Sequence, residues 1–384
     1  MNKINRILIG ILIIFLTAVI STAVPVSTMN KVIDIDNSEA FDVTDHDGYI
    51  FAGQNETRAA IFKTDSNGNV ISKKVYDENN GSYFSDIKLT SENGYIMVGT
   101  SGVELHNNDD EWLYSGLIIK IDEDRNEMWK RYIREGDLLS LKSVYQTLDS
   151  GYIVLGNIMY YDGNPQSLFL IKFDHEGNTI FSKTLTNNSD LDYSSKVIQT
   201  IDEGYAVTGS INDGLNGIVI KIDGNGDIIW TKVFKNIGHV SSIIQLSSGA
   251  YIATGYLENE YPRPKNSWIT KISKNGKIKW LKYIDHGIFN EINSVKQTKG
   301  GYILAGTLYG NNNEPNGGML IKTNKRGKEL WNIVPGDNSY SKLYNVIEMY
   351  PNEYTSFGYK CNIDINECGT YFIKVENITS PNGY

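Results

Sequence analysis

The motif Tyr-x-x-x-Gly recurs in seven copies at a regular spacing: YIFAG at Tyr49, YIMVG at Tyr95, YIVLG at Tyr152, YAVTG at Tyr205, YIATG at Tyr251, YILAG at Tyr302 and YTSFG at Tyr354. An apolar run ending in lysine follows each one, at Lys63, Lys120, Lys172, Lys221, Lys271, Lys322 and Lys374. Nine residues beyond the first six lysines stand Ser72, Trp129, Phe181, Trp230, Trp280 and Trp331. A period near fifty residues means an array of units, each burying its apolar surface only against its neighbours.

Within one unit the apolar residues alternate by two. LKSVYQT turns at LDSG into YIVLG, a variable loop leads to LFLIKF, and a tight turn returns through TIFSKTL. Such runs are short strands; helical repeats would need apolar residues three and four apart. Four-stranded antiparallel units at this period are propeller blades. The chain is therefore expected to be all-β, a seven-bladed β-propeller over residues 30–375 with a short tail, 376–384. The seventh copy stops after TYFIKVE without a fourth strand, while NKVIDID, residues 30–36, resembles the fourth strand NVISKKVYD of the first copy. An N-terminal strand paired with the last blade would close the ring and leave no open sheet edge.

KIDGNGDIIW raises a metal question, because Asp223, Asn225 and Asp227 space oxygens as a calcium loop does. Aligned on the lysines, the first of these positions holds Asp65, Asp122, Asp174, Asp223, Ser273 and Asn324, and the site three places on holds Gly68, Arg125, Gly177, Gly226, Gly276 and Gly327. Calcium needs the carboxylates, which the fifth and sixth copies lack. What Asp, Ser and Asn share is an oxygen that accepts backbone N–H groups ahead in a turn. The glycine supplies a positive φ, and Arg125 departs from that rule. The stretch is read as a hairpin and no metal site is assigned. The repeated lysines are expected to pack their stems between blades with the ammonium reaching an acid near the rim, and the aromatics to fill the gap between adjacent blades.

The start, MNKINRILIGILIIFLTAVISTAVPVS, has a short basic region, apolar residues from Ile7 to Ile20, and small residues at Ser21 and Ala23. It reads as a secretory signal over residues 1–23, with an uncleaved N-terminal membrane anchor as the alternative. Either places the rest of the chain outside: secreted, or on the extracellular face of the cell surface. The net charge of -9 argues against nucleic acid or an anionic membrane as partner, so any membrane contact would run through an uncleaved N-terminal segment.

The turn-to-tryptophan stretch resembles the tryptophan-docking repeat of quinoprotein-like propellers. The whole unit is similar to GGYILAG…LIKTD-x-x-G-x-x-x-W repeats in secreted archaeal and bacterial surface proteins, over essentially everything after residue 30. The likeness implies the fold. Quinoprotein dehydrogenases typically have eight blades, a bound calcium and often vicinal cysteines. This chain has seven copies and no matching acid cluster, so no cofactor and no catalytic residue are carried across.

No Gly-x-Ser-x-Gly elbow, phosphate-cradling loop or His-Glu-x-x-His motif occurs, and the five histidines show no ligand spacing. Function is expected in loops. From the second-strand glycine to the third-strand lysine the gaps are 10, 21, 16, 12, 16, 16 and 16 residues, whereas the lysine-to-aromatic distance is constant. Insertions confined to one face of a repeat array mark its binding surface. Candidate ligand-binding residues there are Trp112, Tyr160, Tyr161, Asp162, Tyr261 and Tyr309, suited to protein or carbohydrate contacts by stacking and hydrogen bonding. The chain is read as a binding or adhesion module rather than an enzyme, with a secreted glycan-active hydrolase or a structural envelope protein as alternatives. The only cysteines, Cys361 and Cys368, lie on the two legs of one loop; a disulfide is expected, a free thiol pair being the alternative.

Overall fold

The computed structural model describes residues 24–33, 38–44, 48–77, 79–104, 112–160, 166–186, 191–257, 267–286, 289–310, 315–334, 340–362 and 367–378. Every regular element among them is a β-strand, and the 28 strands form six sheets. Five sheets have four strands. The sixth has eight, because repeats two and three are joined by a parallel contact between Leu138 and Tyr114.

Repeat four shows the pattern: Tyr193–Gln199, Tyr205–Ile211, Asn216–Ile222 and Ile228–Phe234 pair as consecutive antiparallel neighbours. Its middle strands, YAVTGSI and NGIVIKI, are buried almost throughout, because neighbouring sheets cover both faces. The fourth, IIWTKVF, is largely exposed, as an edge strand is.

The apolar core is divided among the gaps between consecutive repeats. Ile50, Ala52 and Ile61 of repeat one meet Ile87, Met97 and Ile119 of repeat two in one cluster. Equivalent clusters join each later pair, and one joins the last repeat to the first. There Phe41 lies 4.2 Å from Phe357 and Tyr49 lies 4.8 Å from Phe372, centroid to centroid.

The sheet of repeat seven takes its fourth strand from the N-terminus. Val24–Ile33 runs antiparallel to Glu367–Ile378, from Val24 opposite Ile378 to Ile33 opposite Thr370. The pairing begins six residues before the expected 30–36 and ends three residues past 375. The cause is the twelve-residue third strand, which offers partners further along than its counterparts do. Residues 1–23 and 34–37 lie outside the described residues. Met29 stands opposite Lys374 as Trp230 stands opposite Lys221, with a register shift at the same place.

The stretch that suggested calcium is a hairpin. Asp223 Oδ1 accepts the backbone N–H groups of Asn225 and Asp227 at 2.9 and 2.8 Å. Ser273 Oγ accepts that of Lys277 at 3.0 Å, and Asn324 Oδ1 those of Arg326 and Lys328. Backbone hydrogen bonds from Asn69 and Asn126 hold the Asp65 and Asp122 carboxyls below the usual carboxylate range.

Each aromatic docks on the next repeat. Trp129 packs on Tyr152 at 5.8 Å and its Nε1 donates to His175 O at 3.1 Å; Trp230 does the same with Tyr251 and Lys274 O. The ring lies over the hairpin glycine, so a Cβ on Gly177 would fall 2.9 Å from Trp129. The two departures from the pattern meet each other. Ser72 has no ring to offer, and the Arg125 guanidinium fills that slot and donates to Ser72 Oγ, with its backbone at φ 66°.

The repeated lysines pin the turn between the first two strands. Lys172 is buried, and its ammonium donates to Thr147 Oγ1 and Asp149 Oδ1 at 2.6 and 2.8 Å. Lys221 reaches Asp202 at 3.0 Å, and Lys120 approaches Glu92 at 3.8 Å. The acid expected near the rim is found for Lys120, Lys172 and Lys221, whereas Lys322 donates to Thr298 Oγ1 and to the Tyr354 hydroxyl. Cys361 and Cys368 stand directly opposite each other on adjacent strands and form a disulfide.

Candidate functional site

The first strand of each repeat is innermost and lies beside the first strands of its neighbours. Every one of these strands carries a register shift at the same place, as between Phe84 and Asp86, Leu141 and Ser143, or Ser194 and Lys196. The Tyr-x-x-x-Gly motif is the counterpart of this bulge. Its glycine faces the bulged backbone so closely that a Cβ would fall 2.0 Å from Glu291 O at Gly306 and 1.9 Å from His239 O at Gly255. Only glycine admits that approach.

The extra residue turns two successive side chains toward the axis instead of one. Ser85 with Asp86, Ser195 with Lys196, Ser241 with Ser242, and Asn293 with Ser294 all line one cavity of about 830 Å³. It reaches from the level of the bulges to the turns between first and second strands, where Leu148 and Ile201 stand exposed. A smaller hollow of about 340 Å³ continues from the same bulges to the opposite side, past Ser194, His239 and Tyr256.

Charge is concentrated in this cavity. Asp86 is buried, with Lys88 Nζ at 2.6 Å from Oδ1 and Lys196 Nζ at 3.0 Å from Oδ2. Oδ2 also accepts Ser143 Oγ–H and the Val144 N–H, both at 3.1 Å, stitching repeat two to repeat three. Burial pushes the Asp86 carboxyl up, but Lys196 and Lys88 outweigh it and hold the group well below the usual range. Burial lowers Lys196, whereas Asp86 and Asp42 overcome burial and raise Lys88. Lys296 is pushed down to about 8 by burial together with the nearby Lys196 and Lys88.

At the bulge level Ser195 Oγ lies 2.6 Å from His239 Nε2, and His239 Nδ1 lies 2.9 Å from Ser210 Oγ. A serine beside an imidazole is the geometry of a nucleophile and its base. Burial, however, takes His239 down to about 4, and its second partner is a hydroxyl rather than a carboxylate.

The residues proposed from sequence are not gathered into one described site. Trp112 opens the third strand of repeat two, opposite Glu104. Tyr160 follows the second strand of repeat three and is exposed. Tyr161, Asp162 and Tyr261 lie outside the described residues. Tyr309 ends the strand Gly301–Tyr309, half-buried, and its hydroxyl donates to Glu291 at 2.6 Å. The sequence reading missed the channel residues, because the polar side of an alternating strand looks the same whether it faces solvent or a ring axis.

No protein-family model and no curated protein matches the chain. Solved structures do resemble it, and they are β-propellers. BBS1N, crystallised in complex with ARL6DN, aligns with a TM-score of 0.56 at 12% identity, over 94% of this chain and 99% of that one. The extracellular domain of a putative hybrid two-component system from B. thetaiotaomicron aligns with a TM-score of 0.51 at 14% identity, over 88% of this chain and 39% of that one. Puromycin hydrolase aligns at 0.50 and 9% identity, over 86% of this chain and 51% of that one. The fold is thus that of a β-propeller, here with a charged cavity between the inner strands.

Proposed function

We propose that this propeller has seven blades, that Val24–Ile33 closes its ring, and that it works outside the cell as a binding or adhesion module. Its partner in this reading is a protein or carbohydrate held by the loops between second and third strands. The observation that carries the reading is the asymmetry of the repeats: those loops vary by eleven residues, from 10 to 21, while the opposite hairpins keep one length. A scaffold selected only for packing has no cause to vary on one face alone. The disulfide and the signal-like residues 1–23 support the extracellular setting. The closing strand starts directly after Ala23, so an anchor extending to Val26 would compete with the pairing of Val24 to Val26. BBS1N, crystallised with a protein partner, and the extracellular propeller make a binding role coherent with the fold.

A glycan and protein binding screen tests the reading. Saturable binding that weakens in Trp112→Ala or in Tyr160→Ala with Tyr161→Ala, at unchanged thermal stability, supports it. Equal binding by the variants and the parent moves the site elsewhere. The Ser195–His239 contact favours a second reading, a hydrolase. Labelling of Ser195 by a fluorophosphonate probe, abolished in His239→Ala, would establish that reading, and an unlabelled chain would reject it.

A further inference from the structure

Among the described residues lining the main cavity, four are lysines, Lys88, Lys142, Lys196 and Lys296, and one is an acid, Asp86. That excess of positive charge stands in a chain whose net charge is -9. Lys88 and Lys196 spend their ammonium groups on the two oxygens of the same Asp86. Lys296, on the first strand of repeat six, has no hydrogen-bond or ion-pair partner among the described residues, yet it sits within the field of both other lysines. Three ammonium groups, Lys88, Lys196 and Lys296, face two carboxylates, Asp86 and Asp42, and the positive charge left over is repelled within the cavity unless a further negative charge joins it. The side-chain amides of Asn293 and Asn345 line the same wall, and Asn293 Nδ2 gives one N–H to Leu343 O and keeps its second. They can bond the remaining oxygens of a bound group.

We propose that the cavity between Lys88, Lys196 and Lys296 binds a small oxyanion, a carboxylate, phosphate or sulfate group carried by a polar molecule that enters between the first-to-second-strand turns. This site is independent of the variable loops and lies toward the opposite face. Its volume admits a molecule larger than the anion itself, so the charged group would sit against Lys296 with the rest of the ligand toward Leu148 and Ile201. The affinity should fall as pH rises through about 8, where Lys296 loses its proton. The charged groups facing it, Lys196, Lys88, Asp42 and Asp86, set that value between them.

The test is calorimetric titration of the full chain with citrate, inorganic phosphate and sulfate at one fixed low ionic strength, with chloride as reference. The expected result is saturable binding of at least one probe at one site per chain. Stronger citrate binding would assign a carboxylate ligand, and stronger phosphate or sulfate binding an ester of those acids. Lys296→Gln should lower the affinity about tenfold or more, since a hydrogen bond between charged groups is lost. Lys183→Gln, on the outer edge, should leave it unchanged. Lys296→Gln removes a repelled charge, so without anion its melting temperature should equal or exceed that of the parent; Lys296→Arg should keep binding. Binding of none of the three probes, or equal affinity in Lys296→Gln and the parent, would overturn the proposal. So would a fold lost in Lys296→Gln and kept in Lys296→Arg without anion binding.

Discussion

Ser72 and Arg125 can be exchanged for the residues that the other repeats use, and the outcome is calculable. Arg125→Gly alone relieves a backbone held at φ 66°, where an L-residue costs roughly 1–2 kcal/mol, but gives back about 0.5–1 kcal/mol as glycine entropy. It also loses the donation to Ser72 Oγ, about 1 kcal/mol, so the single change should be near neutral or slightly destabilising. Ser72→Trp alone drives a ring into the slot occupied by the arginine, at a cost of about 1–3 kcal/mol. Together they recreate the Trp–Gly dock seen where Trp129 meets Gly177 and Trp230 meets Gly276. The new ring would reach Tyr95 as Trp129 reaches Tyr152, at 5.8 Å. Covering roughly 100 Å² of apolar surface contributes about 2.5 kcal/mol, less the share already buried in the unfolded chain. The double variant should therefore be more stable than the parent, with a coupling of about 2 kcal/mol or more. Urea unfolding of all four proteins measures it. Additivity within about 0.5 kcal/mol would refute the docking account.

Three shorter predictions rest on buried groups. Because the Asp86 carboxyl is held below its unfolded value near 3.9, its contribution to stability is present above that value and is lost as pH falls further. Urea midpoints should drop below about pH 4 in the parent and drop less in Asp86→Asn, which starts lower at neutral pH. Reducing the Cys361–Cys368 bond opens a loop with a sequence separation of 7 and should cost about 2–3 kcal/mol in the chain-entropy model; intact mass with thiol alkylation identifies the state whose stability is measured. Lys172→Met keeps the stem but loses bonds to Thr147 and Asp149, and should lower stability by about 1–3 kcal/mol, visible as a shift in the urea midpoint.

Much of the fold is legible in the sequence because each repeat states the same constraint. The Asp, Ser or Asn at the hairpin, the lysine and, in five copies, the aromatic recur at fixed spacing, and Asp223, Lys172 and Trp129 show the partners that such spacing serves. The channel is harder to see for a physical reason. Lys88 and Lys296 occupy one column of the first strand, Lys196 another and Lys142 a third, so no alignment of repeats brings them together. They converge only when the first strands are set around one axis. Glycine of the Tyr-x-x-x-Gly motif did carry a signal of the bulge, since glycine in a strand marks close backbone approach. Its spacing alone does not say which side chains that bulge turns inward. Trp112 and Tyr160 stand out by residue type at the ends of the variable loops, and residue type alone does not say which side chains a fold gathers into one site.

Ring closure is tested most directly by amide hydrogen exchange across Val24–Ile33. Paired with Glu367–Ile378, this segment should show slowed exchange matching the protection of that strand, and the two should lose protection together as urea is added. Exchange of residues 24–33 at the rate of an unstructured peptide, while residues 367–378 stay protected, would contradict the closed ring.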